Sequence, residues 1–147
     1  MANDMEFSAV VDRPVDEVCA VLTNLNNLPQ WFSVEAVKDI TPGPLHAGTK
    51  FTVVGNVLGR DQEIECQVTA YEPCQKLDFE VLGKYSMLVH TRLIPEGAGT
   101  RVTLLVDLHI SPFLMPLVRG PASSMVMHDL NRFAERMNGG GKDDWHS

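Results

Sequence analysis

Residues 111–137 read SPFLMPLVRGPASSMVMHDLNRFAERM, and the placing of this stretch decides the fold. Ser111 followed by Pro112 is a helix-start signature. The hydroxyl can cap, and proline tolerates a first turn whose N–H groups have no helical partner. Pro116 and Pro121 each delete a backbone donor, so the first half is expected to be kinked or broken. Beyond them, Ala122, Met125, Val126, Leu130, Phe133 and Met137 recur at helical spacing as one apolar stripe. His128, Asn131, Arg132, Glu135 and Arg136 fall mostly opposite it, and Asn138 with the following glycines stops the helix. Such a helix needs a broad apolar partner.

The preceding chain offers that partner as strands. Residues 4–12 alternate, with Met5, Phe7, Ala9 and Val11 on one face. Asp12-Arg13-Pro14 starts a helix, Asp16 and Glu17 favour its positive end, and Val15, Val18, Cys19 and Leu22 point inward. Leu28-Pro29-Gln30-Trp31-Phe32 reads as a second short helical turn. Strands follow over residues 34–40 and 49–57, the latter with Phe51, Val53, Gly55 and Val57 on one face. The next carries Ile64, Cys66, Val68 and Ala70 against Glu63, Glu65, Gln67 and Thr69. Then Leu77, Phe79 and Val81 alternate with Asp78 and Glu80. A strand from about Ser86 to Ile94 precedes the last, whose inward residues are Val102, Leu104, Val106, Leu108 and Ile110.

Directly opposed residues of an antiparallel pair share a face, so the register can be set from the sequence. Pairing Val57 with Gln62, Tyr71 with Lys76 and Pro95 with Thr100 brings apolar faces together, and pairing Leu82 with Ser86 continues the same face while turning Leu88 toward solvent. The expected order is strand, two short helices, about six strands in a meander with one buried face, and a long helix.

In that order, Arg13-Pro14-Val15-Asp16-Glu17-Val18, Leu28 to Phe32, Gly43-Pro44 through Gly48-Thr49-Lys50-Phe51, and Gly99-Thr100-Arg101-Val102-Thr103 resemble the polyketide cyclase/dehydrase branch of the START/Bet v 1-like superfamily. The resemblance spans about residues 5–137. It implies an α+β helix-grip fold: a curved seven-stranded antiparallel sheet wrapped around the C-terminal helix over an apolar cavity, as one domain over 1–138. Residues 139–147, Gly-rich and then polar, are expected to be a flexible tail. In the resembling family the second short helix borders the cavity mouth, so Trp31 and Phe32 would gate it, stack on a ligand or equally serve as core plugs.

Composition narrows the function. At 147 residues, 44% apolar and 21% charged, the chain has the make-up of one ordinary globular domain. A net charge of −7 disfavours non-specific attraction to nucleic acid or anionic membrane. No apolar run reaches membrane-spanning length, and Met1-Ala2-Asn3-Asp4-Met5-Glu6 is no signal peptide. Cys19, Cys66 and Cys74 are read as reduced thiols of a cytoplasmic protein. Oligomeric state is open, a dimer included.

No residue pattern marks a catalytic, metal or cofactor site. The glycines cradle no phosphate, and His46, His90, His109, His128 and His146 read as surface histidines without ligand spacing. Cys66 faces inward with no histidine to activate it, and reads as a small buried hydrophobe. Parity turns Gln62 and Thr91 inward, with Tyr85 at a hairpin; Gln62 and Tyr85 stand at sheet ends, where solvent is the alternative to a pocket. Asp129 sits at the stripe's edge, to orient a ligand or to pair with Arg132 or Arg136. The expected site is a cavity for a small hydrophobic molecule, lined by Trp31, Phe51, Val53, Cys66, Val68, Phe79, Met87, Val89, Thr91, Val106, Met125, Val126, Asp129, Leu130 and Phe133. One alternative is a polyketide cyclase or dehydrase that works by positioning its substrate. Another is a protein-interaction module whose cavity is filled by Phe51, Phe79 and Phe133.

Overall fold

The structure is a computed structural model that describes residues 4–31, 34–57, 59–83, 86–109, 111 and 113–140. Its strands are β1 (Asp4–Val11), β2 (Ala36–Lys38), β3 (Lys50–Val57), β4 (Arg60–Glu72), β5 (Lys76–Val81), β6 (Met87–Glu96) and β7 (Gly99–Leu108). Helices α1 (Val15–Leu22) and α2 (Leu28–Trp31), with a 3₁₀ turn at Leu25–Asn27 between them, connect β1 to β2. Helix α3 (Met115–Glu135) follows β7 and ends in a π turn over Arg136–Gly140. The seven strands form one sheet in the order β1-β7-β6-β5-β4-β3-β2, every neighbouring pair antiparallel. It is the α+β helix-grip architecture.

Alternation builds the sheet as expected at β1 and at the last two hairpins. Phe79 opposes Val89, Val89 opposes Val106, and Met87 opposes Leu108. Gly83, at φ 105°, turns the chain from β5 to β6 in a backbone region only glycine enters freely. Two registers differ from expectation. Val57 pairs with Arg60 rather than Gln62, so Phe51 faces Cys66 and Val53 faces Ile64. The loop is two residues shorter, and an even shift leaves every side chain on its expected face. Between Val68 and Ala70 a bulge adds one residue to β4. It flips the remainder of the strand: Ala70 pairs with Asp78 on the outer face, and Tyr71 pairs with Leu77 on the inner one.

Helix α3 is also less broken than its prolines suggest. Ser111 Oγ accepts a hydrogen bond from the Phe113 N–H at 3.2 Å in a turn that precedes the helix. Pro116 falls in the first turn, where no donor is missed, and Pro121 sits inside a helix that continues past it. The carbonyl that Pro121 leaves without its helical donor belongs to Leu117, an exposed residue, where water can replace the lost bond. The helix is tied down mainly at its far end. Arg13 Nε donates to the Met137 carbonyl at 2.9 Å, and the Asp12 N–H donates to Asn138 Oδ1 at 2.7 Å. Arg132 donates to the Gln30 carbonyl of α2 at 3.0 Å. At the same corner Thr100 Oγ1 donates to the Arg13 carbonyl, and a Cβ on Gly99 would strike the Val11 carbonyl.

Candidate functional site

The inner face of the sheet is apolar along its whole width. Phe51 and Val53 of β3, Cys66 and Val68 of β4, Val81 of β5, Leu93 of β6 and Val102, Leu104, Val106 and Leu108 of β7 are buried in one contiguous core. Met115, Val126, Leu130 and Phe133 of α3 and Met137 of the π turn join it. The backbone of α3 makes its closest approaches to β1 and α2. At the centre of the inner face the Phe51 and Phe79 rings meet edge to face, 6.0 Å apart. Val89 is buried but stands outside the contiguous core, and Phe79 and Met87 are half-buried at its border.

Most of the residues expected to line a cavity thus lie on this inner face. Thr91 is buried there among apolar neighbours, and Asp129 is buried on α3, 1% exposed. Met125 departs from the set: it is 41% exposed on the outer flank. Neighbouring helix positions differ by about 100°, and Val126 takes the inward place. Gln62 is exposed at the end of the sheet rather than inside. Trp31 closes α2, but its side chain, like Phe32 and Tyr85, lies outside the described residues.

Among the described residues, a cavity of about 10 Å³, room for about one water, lies to one side of that face. Its lining includes Cys19 and Leu22 of α1, Tyr71, Cys74, Leu77, Thr91 and Leu93, so of the expected set only Thr91 borders it. The sequence pattern missed this corner because the bulge turns Tyr71 inward. Cys74, at φ 59°, holds the third position of the Glu72–Gln75 turn in a conformation more usual for glycine, which brings its thiol to Cys19. Burial, with Cys74 next to it, pushes the Cys19 thiol up to about 11. Burial alone pushes Cys66 up to about 12. Both stay protonated at neutral pH and are poor nucleophiles.

Among the described residues, one charge is buried on the outer face, where alternation had placed it in solvent. Asp78 is 6% exposed, receiving Arg92 and, at 2.9 Å, His90 Nδ1. Burial raises its carboxyl, but the hydrogen bonds and charges of Arg92 and His90 outweigh burial and hold it below the usual carboxylate range. Among the described residues no three His, Cys, Asp or Glu side chains gather as metal ligands. None of their helices is long and apolar enough to cross a membrane.

A family model described as polyketide cyclase / dehydrase and lipid transport matches residues 3–138. The chain belongs to this family. Solved structures agree on the fold of this family member. A START superfamily protein from Mycobacterium smegmatis superposes with a TM-score of 0.76 at 13% identity, covering 91% of this chain and 96% of that one. The Zhui aromatase/cyclase from Streptomyces sp. R1128 gives 0.75 at 16% identity, over 94% and 97%. At these identities the likeness is one of fold. No curated protein matches the sequence.

Proposed function

We propose that this family member binds a small hydrophobic molecule, of lipid or polyketide type, between the inner face of the sheet and α3. The observation that carries the reading is the broad apolar inner face of β3–β7 set against the apolar stripe of α3. Binding there draws on burial of apolar surface, about 25 cal/mol per Å² before ordering costs. Thr91 and Asp129, both buried, would orient the ligand. Since Phe51 and Phe79 meet across the middle of the face, the ligand enters by displacing side chains and the first half of α3. An odd count of three cysteines without metal-ligand spacing fits a reducing compartment such as the cytoplasm.

The test is a fluorescence titration with N-phenyl-1-naphthylamine, an apolar probe. Saturable one-site binding is expected, and it should be lost in Val53→Trp and weakened in Val89→Phe, each checked for a native circular dichroism spectrum. Unchanged affinity in both folded variants rules the site out.

A second reading, cyclisation or dehydration of a polyketide by positioning, rests on the same buried Thr91 and Asp129. It needs turnover of a poly-β-ketone that falls in Thr91→Val or Asp129→Asn while probe affinity is kept.

A further inference from the structure

The outer flank of α3 changes character along its length. Phe113 and Leu114 of the preceding turn and Leu117, Val118 and Met125 of the helix are exposed, Phe113 at 85% and Leu117 at 72%. Further along the same flank stand His128, Asn131 and Glu135, the polar residues that a sheet-packed helix ordinarily shows to water. Single exposed apolar side chains are commonplace; a run of five on one flank is not. Charge is distributed to match. The chain has 19 Asp and Glu against 12 Lys and Arg, yet no carboxylate occurs between Asp107 and Asp129. Within that interval Arg119 is the full cation, with His109 and His128 at the margins.

The size and relief of the patch favour one occupant. Covering five side chains removes on the order of several hundred Å², short of the roughly 800 Å² per partner of a stable protein complex. Exposure peaks at Phe113 and Leu117 and falls toward Met125, a projecting tip rather than a flat plate. Shallow insertion at a lipid surface calls for this arrangement: an aromatic and a leucine at the acyl boundary, on a stretch of chain that carries an arginine and no carboxylate of its own.

We propose that the first half of α3 and the turn before it dock on the surface of a lipid bilayer, with Phe113 and Leu117 entering the headgroup–acyl boundary. The docking goes beyond ligand binding and does not depend on what the interior holds. It is tested by flotation of the full chain with phosphatidylcholine vesicles, alone or mixed with phosphatidylglycerol. The chain should float with the neutral vesicles and resist high salt. The Phe113→Ser/Leu117→Ser double variant should bind at least about tenfold less, with its circular dichroism unchanged because both positions are exposed. The emission of Phe113→Trp should move to the blue on vesicles. Four results would overturn the proposal: no flotation at high lipid; equal flotation of the double variant; flotation only with phosphatidylglycerol and lost in salt; or a wild-type dimer that the double variant dissolves, which assigns the patch to a second copy. The probe titration above uses no vesicles, so either result leaves the other standing.

Discussion

Asp78 shows how one side chain can depart from the pattern of its strand. It alternates with Leu77 and Phe79 as an outward residue should, yet Arg92 and His90 cover it. Its partners stand 12 and 14 residues further along, so nothing local in the sequence announces the burial. Asp78→Asn leaves Arg92 without its counter-charge and should cost about 1–3 kcal/mol in urea unfolding at neutral pH. The carboxyl is held below its ordinary value when folded, so its contribution is full above the unfolded-state value of 3.8 and is lost as pH falls through the lower folded value. The wild-type and Asp78→Asn stabilities should therefore converge in acid; a gap that persists there would contradict the ion pair. Cysteine chemistry gives a second check. With Cys19 up at about 11 and Cys66 at about 12, iodoacetamide at mildly alkaline pH should label the half-buried Cys74 first. Peptide mapping that finds Cys66 labelled as fast as Cys74 would contradict a sealed inner face.

The elements divide by how local their causes are. Registers at β5–β6 and β6–β7 were legible because long runs alternate and turn residues bound them. At β3–β4 the shorter loop left the faces right and the partners shifted by two. The bulge near Thr69 was not legible: no glycine or proline marks it, and its effect is felt only where Tyr71 meets α1. The same holds within α3, where the inward places of Val126, Leu130 and Phe133 follow from helical spacing. The spacing could not show that Met125, one position from Val126, faces out. Pro121 was expected to kink or break α3, and the helix continues past it. The proline still removes one helical hydrogen bond at an exposed position, so Pro121→Ala should raise stability by about 1–3 kcal/mol. Thermal unfolding measures it, and no gain would mean that the helix is relaxed around the proline. The substitution should also slow exchange of amide hydrogens in the first half of α3 more than in the second, since Arg13, Arg132 and Asn138 already tie the far end.

At the scale of the whole molecule, the sheet and α3 make an enclosure anchored at one end. The corner of β1, α1 and the π turn is fixed by hydrogen bonds from Arg13, Asp12 and Thr100. The opposite end of α3 presents apolar side chains to the outside. A ligand that enters by displacing side chains should rigidify that end, and deuterium uptake over residues 113–122 should fall when the probe binds. Equal uptake with and without probe would place entry elsewhere. The most direct measurement of the central claim is native mass spectrometry of the chain saturated with N-phenyl-1-naphthylamine, beside Val53→Trp and Val89→Phe. An interior site between sheet and helix predicts a one-to-one adduct on the 16.3 kDa chain that disappears in Val53→Trp and weakens in Val89→Phe. A bare chain in all three, or an adduct undiminished when the inner face is filled, would contradict it.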